Sequence, residues 1–371
     1  DGAEIEDGVI HLRRRRHVIR FTGLKHRPVL SLLRGFSAPV TLAHEQTAAD
    51  RIFLARHDSD PFSRWQSLDR LLTAELIRLT RLARGGKALK PDAALIGLAG
   101  ELVANEALEP AFRALALTLP GEADIAREIG EDVDPDAIRK AREALTRAIG
   151  LAHAGAFEAS WAALSDTGIY SPDGDSAGRR SLRLTLLWYL AAAGRTDLAK
   201  RHHDQAGNMT DRAGALSVLA AAAPESDETA AALAAFEERF GTDPLVMDKW
   251  FSIQASMPGD GALGRVRSLM GHPGFHLDNP NRLRALIGAW ATGNQTGFHR
   301  ADGKGYAFFA EVILKAAALN PQVAARLATA LRSWRSLEPV RRDHARRALV
   351  SIAEAPDLPV DVRDIVERTL R

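Results

Sequence analysis

Along the chain the spacing of apolar residues changes character once, near residue 48. Before that point Val9-Ile10-His11-Leu12 and Val18-Ile19-Arg20-Phe21 are short β-branched or aromatic runs, and Val40-Thr41-Leu42 follows Pro39. These runs predict a few strands of a small sheet. So few strands are marginal alone, so the sheet needs a partner surface. From about Ala48 the period becomes 3.6. Trp65, Leu68, Leu72, Leu76, Leu79 and Ala83 fall on one stripe of a long helix, and Leu182, Leu186, Leu190 and Ala193 repeat the pattern beside Tyr189. Asp134-Pro135, Asn279-Pro280 and Asn320-Pro321 each set a capping side chain before a proline at the first helical position, and Thr210 is a further cap candidate. Turns are expected at Asp173-Gly174-Asp175-Ser176 and across 258–264.

Helix then follows helix to the C-terminus through short loops. Two Asn-Pro starts carry similar segments, Asn279–Leu286 and Asn320–Leu327. Serial helical hairpins without strands predict a mainly α fold, an α-solenoid or superhelix of stacked pairs with a concave face.

Composition narrows the function classes. With 49 Lys+Arg against 47 Asp+Glu the net charge is +2, which argues against a general nucleic-acid binder although the sequence pI is about 9.0. The absence of cysteine excludes disulfides and thiolate metal sites and fits a reducing compartment, so a cytoplasmic location is expected. No window reaches the roughly 18 apolar residues of a membrane span, so no membrane partner is expected. A chain opening on Asp1-Gly2-Ala3, without methionine or an apolar leader, reads as a fragment or a processed product.

Motifs that resemble chemistry are each incomplete. His44-Glu45-Gln46-Thr47-Ala48 has alanine where a zinc helix needs its second histidine, and reads as a solvated loop. In His202-His203-Asp204 neighbouring histidines point about 100° apart on a helix and do not share an ion, which leaves a surface helix end. Gly174-Asp175-Ser176-Ala177-Gly178 spells a nucleophile elbow, but turn residues and not a strand precede it. The stretch 297–304 has phosphate-loop glycines one residue too far apart, and Gly305 stands where Ser or Thr is required. Arg13-Arg14-Arg15-Arg16 reads as a hairpin end or an edge strand guarded by charge. The Asn-Pro helix starts offer backbone N–H groups and a positive dipole end, with Arg282 and Arg284 beside one and Arg326 beside the other. Gln322 and Arg326, four apart, share a helix face. Such a face suits a peptide backbone and a carboxylate; ordinary capping and inter-repeat ion pairs are the alternative.

Longer phrases add a resemblance. Leu245-Val246-Met247-Asp248-Lys249-Trp250-Phe251 and Asn279-Pro280-Asn281-Arg282-Leu283-Arg284 closely resemble the C-terminal region of the bacterial aminopeptidase N family, zinc-dependent alanyl aminopeptidases of the gluzincin class. Phe36-Ser37-Ala38-Pro39-Val40, Phe62-Ser63-Arg64-Trp65, Arg142-Glu143-Ala144-Leu145-Thr146-Arg147, Asn208-Met209-Thr210-Asp211 and Asn320-Pro321-Gln322-Val323-Ala324 agree in the same order. The resemblance implies that residues 1–45 are the last strands of a small β-sandwich and that 46–371 are a helical superhelix capping an active site. It implies a parent that releases N-terminal residues from peptides through a zinc-activated water, with zinc, general base and the Gly-Ala-Met-Glu-Asn exopeptidase motif on a part outside this sequence. No catalytic or metal-binding residue, and no cofactor, is then expected in this chain. Its partners would be that catalytic part of the same polypeptide and peptide substrates, with Gln322 and Arg326, and Arg284 more distantly, reaching peptide beyond the cleaved bond. A freestanding α-solenoid that binds proteins or peptides is the competing expectation.

Overall fold

The computed structural model describes residues 4–6, 9–165 and 168–371, and contacts divide the chain into two units, 1–68 and 69–371. In the first unit β1 (Glu4–Glu6) and β2 (Val9–His11) pair antiparallel, with Ile5 opposite Ile10. The strand expected at 9–12 thus forms without Leu12. Those expected at Val18–Phe21 and Val40–Leu42 do not form, because no ladder partner lies beside them among the described residues. Val18, Phe21 and Val40 stand exposed, and the Val40 N–H turns back to the Ala38 carbonyl at 3.0 Å instead of joining a ladder. The arginine run is no strand either. The N–H groups of Arg13 and Arg14 both donate to His17 Nε2, at 3.0 and 2.9 Å, which folds the run about one imidazole. α1 (Ala48–His57) opens on a reciprocal capping box in which Thr47 and Asp50 satisfy each other's backbone N–H.

α2 (Pro61–Arg84) carries the expected stripe, with Leu68, Leu72, Leu76 and Leu79 buried. Helical segments fill the rest of the described chain: α3 (Ala93–Ala104), α4 (Pro110–Leu117), α5 (Glu122–Ile129), α6 (Pro135–Ala163), α7 (Gly174–Ala192), α8 (Thr196–Gln205), α9 (Met209–Ala222), α10 (Asp227–Phe240) and α11 (Pro244–Ser256). α12 (Ala262–Leu269), α13 (Pro280–Leu283), a π turn at Arg284–Gly288, α14 (Ala289–Gly293), α15 (Gln295–Phe298), α16 (Lys304–Leu319) and α17 (Pro321–Ala328) follow. Two 3-10 turns, Thr329–Leu331 and Trp334–Ser336, then lead to α18 (Pro339–Ala353) and α19 (Val360–Leu370). The three expected cap-proline starts open α6, α13 and α17. At α9 the cap is Asn208 and not Thr210; the Asn208 side chain takes the Asp211 N–H at 2.9 Å, and Thr210 is already helical.

Neighbours along the chain pack as hairpins, α6 on α7, α8 on α9, α10 on α11, α16 on α17 and α18 on α19, and α7, α9 and α11 stack in succession. This is the expected α-solenoid. α6 and α7 come unusually close, because a side chain at Gly150 would lie 2.2 Å from the Tyr189 carbonyl oxygen. Tyr189 is held there by its own hydroxyl, which donates to the Leu117 carbonyl at 2.5 Å.

The stack also meets itself. Val133, just ahead of α6, forms a parallel bridge with Leu337: its N–H donates to the Ser336 carbonyl at 2.8 Å and its carbonyl accepts from Glu338 N–H at 2.9 Å. Arg341 completes this seam from α18. Its side chain is 6% exposed, pairs with Asp136, approaches Asp134 at 3.6 Å and Glu338 at 3.1 Å, and donates to the His299 carbonyl at 2.6 Å.

Candidate functional site

Gln322 and Arg326 both stand exposed on α17, one turn apart. The opposite face, Ala324, Ala325, Leu327 and Ala328, is buried against α16 and α19, so the exposed pair is fixed in direction by packing behind it. The helix starts are largely capped from within. Asn320 Oδ1 takes the Val323 N–H at 3.2 Å, and at α13 Asn279 Oδ1 takes those of Asn281 and Arg282 at 3.0 and 3.3 Å. Capping thus accounts for the α13 start and for Val323 at the α17 start, and recognition falls mainly to side chains.

The two arginines of α13 divide sharply. Arg282 is buried, bonded to Asp248 at 2.5 Å and to the Pro244 carbonyl at 3.0 Å, over the Phe251 ring. It ties α13 to α11. Arg284 is exposed, bonded to the Pro280 carbonyl at 3.0 Å and to Asn281 Oδ1 at 2.5 Å. It opens the π turn, a widened turn of a kind frequent at functional sites, and Ser252 of α11 donates to the Ala285 carbonyl at 3.0 Å within it. A methyl placed at Gly288 would lie 3.8 Å from both Leu327 Cδ2 and Arg284 Cβ. The Arg284 turn and α17 are therefore neighbours, although residues 284 and 326 are far apart in sequence.

The remaining motifs resolve into structure. His202 and His203 are buried, each 3% exposed, and not at a surface helix end. Trp161 Nε1 donates to His202 Nδ1 at 3.4 Å while His202 Nε2 faces Asp211 at 3.3 Å; His203 turns instead to Asp204 at 3.2 Å, and burial lowers its pKa. The amphipathic pattern missed the burial of His202 because its partners Trp161 and Asp211 lie on other helices. Ser176 sits in the first turn of α7 with its N–H on Asp173 Oδ1 at 2.9 Å, so the elbow sequence is a helix cap. In the loop-like stretch the Asp302 carboxylate holds Arg300 and the Lys304 N–H, which keeps its pKa at about 2, and Gly305 packs on the Phe298 carbonyl. Among the described residues no three His, Asp or Glu side chains stand together as a metal site, and no helix is long and apolar enough to cross a membrane.

His299, at the seam, is fully enclosed. Its Nδ1 lies 2.9 Å from the Tyr306 hydroxyl, and burial, aided by the Arg341 charge, pushes its pKa down to about 3 from 6.5. The folded protein therefore holds this imidazole neutral, while the unfolded chain takes up a proton below pH 6.5. Stability from this group is complete above pH 6.5 and is lost as pH falls toward 3. Between pH 6.5 and 5 the loss is about 2 kcal/mol at 1.36 kcal/mol per pH unit. Denaturant titrations across that range should give a flatter profile for His299→Gln than for the wild type; parallel profiles would discount the group.

Residues 48–371 match a family model described as a domain of unknown function with ARM repeats, DUF3458_C, and residues 1–45 match one described as DUF3458, of Ig-like fold. Aminopeptidase N of Caulobacter vibrioides is 37% identical over all of this chain and 43% of its own length. Aminopeptidase N of Escherichia coli is 33% identical over all of this chain and 42% of its own length. A crystal structure of Legionella pneumophila aminopeptidase A in complex with aspartic acid superposes with a TM-score of 0.83 at 27% identity, covering 94% of this chain and 41% of that one. The chain thus spans less than half of each of these relatives and matches their C-terminal part.

Proposed function

The chain belongs to the family of ARM-repeat domains described as DUF3458_C, and from that premise we propose that it is the C-terminal capping portion of a zinc aminopeptidase releasing N-terminal residues from peptides. The observation that carries this is the alignment of the whole chain with aminopeptidases N at 32–37% identity while it covers only 42–43% of them. On this reading residues 1–45 end a small β-sandwich, residues 46–371 close over the catalytic cavity and restrict access to it, and the enzyme works in the cytoplasm. On the same reading zinc and its general base belong to the rest of such an enzyme, and this chain takes no chemical step.

Its contribution is position. The Gln322 amide both donates and accepts, as an extended peptide backbone requires, and the Arg326 guanidinium suits a carboxylate in two-pronged fashion. On the same reading Arg284 would reach the peptide from the π turn, whose Gly288 approaches Leu327 of α17. Holding peptide beyond the scissile bond lowers the entropic part of the barrier without adding a catalytic group.

In a full-length enzyme carrying this chain, Arg326→Ala should raise KM for tripeptides and longer substrates by about tenfold, the worth of one charge-assisted hydrogen bond. KM for a single-residue alanyl anilide should change less than about twofold, since that substrate has nothing beyond the cleaved bond. Equal effects on the two substrates would remove the positioning role. In the same assay the 371-residue chain alone, supplied with zinc, should hydrolyse neither; zinc-dependent turnover by the pure chain would overturn the capping reading.

A further inference from the structure

Two hollows flank the 3-10 turn Trp334–Ser336. One, of about 530 Å³, lies between this segment and the α5–α6 corner, and Gln295 also lines it. The other, of about 310 Å³, lies between the segment and α19. Arg332 and Arg335 belong to the walls of both, and neither Gln322, Arg326 nor Arg284 lines either.

The charges around these hollows do not cancel. Arg127 is answered by Asp124 at 3.0 Å and Arg368 by Asp364 at 2.8 Å. Glu122, whose pKa burial raises, faces Arg142 at 3.9 Å. Arg335 has only neutral partners: it stacks on the Trp334 ring at 4.5 Å and donates to the Thr369 and Leu370 carbonyls at 2.6 and 2.5 Å. Carbonyls fix its direction without balancing its charge, and one hydrogen on each terminal nitrogen, with that on Nε, stays available. Arg332, three residues earlier, is exposed and pairs with no carboxylate among the described residues. A pre-positioned guanidinium beside a second uncompensated one, in the shared wall of two hollows, is an arrangement for multiple negative charge.

We propose that this wall binds a small multivalent oxyanion, of the phosphate or polycarboxylate class. Ser333 and Gln295 supply neutral donors along the same hollow. Because the larger hollow is lined from both sides of the seam, by Val133 and Pro135 on one and Ser336 and Leu337 on the other, the bound anion holds the stack closed. Nothing in this depends on the aminopeptidase reading.

The test is thermal unfolding and calorimetric titration of the 371-residue chain with inorganic phosphate and with citrate, at ionic strength held constant with chloride. The melting temperature should rise saturably with at least one of them, and the stronger of the two assigns the class. Arg332→Ala should weaken that ligand about tenfold while leaving the ligand-free melting temperature and circular dichroism unchanged. Arg332→Lys, which keeps the charge but not the fork, should weaken it less. Arg335→Ala also removes two bonds at the end of α19, so Arg332 is the deciding position. A rise that never saturates, or one equal in wild type, Arg332→Ala and Arg332→Glu, would overturn the proposal, since excluded salts stabilise any folded protein in that way.

Discussion

Arg341→Ala should cost about 3–5 kcal/mol of unfolding free energy, the range for removing one partner of a buried ion pair. The side chain is 6% exposed and serves Asp134, Asp136, Glu338 and the His299 carbonyl together. Its removal leaves the Glu338 carboxylate, 14% exposed, without its cation. It also strips a donor from a carbonyl that cannot turn to water. Denaturant unfolding followed by circular dichroism gives the free energy. Hydrogen exchange should show the amides of Val133 and Glu338, which form the bridge across the seam, losing protection beyond the global change. If Arg341→Ala costs less than about 1 kcal/mol, the value of an exposed ion pair, the seam is not held by this residue.

Gly150→Ala should reverse the usual sign of a helix substitution. Inside a helix, alanine is ordinarily better than glycine by about 0.5–1 kcal/mol. At residue 150 the new methyl would sit 2.2 Å from the Tyr189 carbonyl oxygen and 3.3 Å from Ala193 Cβ. Two helices must separate to admit it, and the expected cost is about 1–3 kcal/mol. Gly155 lies in the same helix with nothing within 4 Å of the added carbon, so Gly155→Ala should stabilise by about 0.5–1 kcal/mol. Opposite signs for the pair locate the α6–α7 contact; the same sign for both would mean that the helices do not approach this closely.

These residues also mark what could be read from the sequence. Period and caps are local, so α2, α7 and the starts of α6, α13 and α17 were legible in order and type. Strands depend on a partner, and Val18–Phe21 shows that β-branched composition alone does not supply one. Nothing local in the sequence joined Arg341 to Asp134. The same holds for Trp161, His202 and Asp211, whose meeting is decided by the stacking of α6, α8 and α9. For the candidate site, the shared face of Gln322 and Arg326 followed from their spacing. That the helix starts are filled by their own asparagines, and that a π turn brings Arg284 alongside α17, did not. A π turn differs from an α turn by one extra residue, and its supporting Ser252 comes from a different helix.

The bond between Asp136 and Arg341 joins residues 205 apart. In equilibrium terms that separation matters little, because doubling a loop costs only about 0.6 kcal/mol. During synthesis it matters more. At roughly 5–20 residues per second, about 10–40 s pass between the emergence of one partner and that of the other. Through that interval Asp134, Asp136 and Val133 wait with open backbone and unpaired charge, while the hairpins between them fold in turn. The order of birth thus makes the seam close only after the hairpins between its two sides have been made, and leaves the start of α6 in need of protection until then.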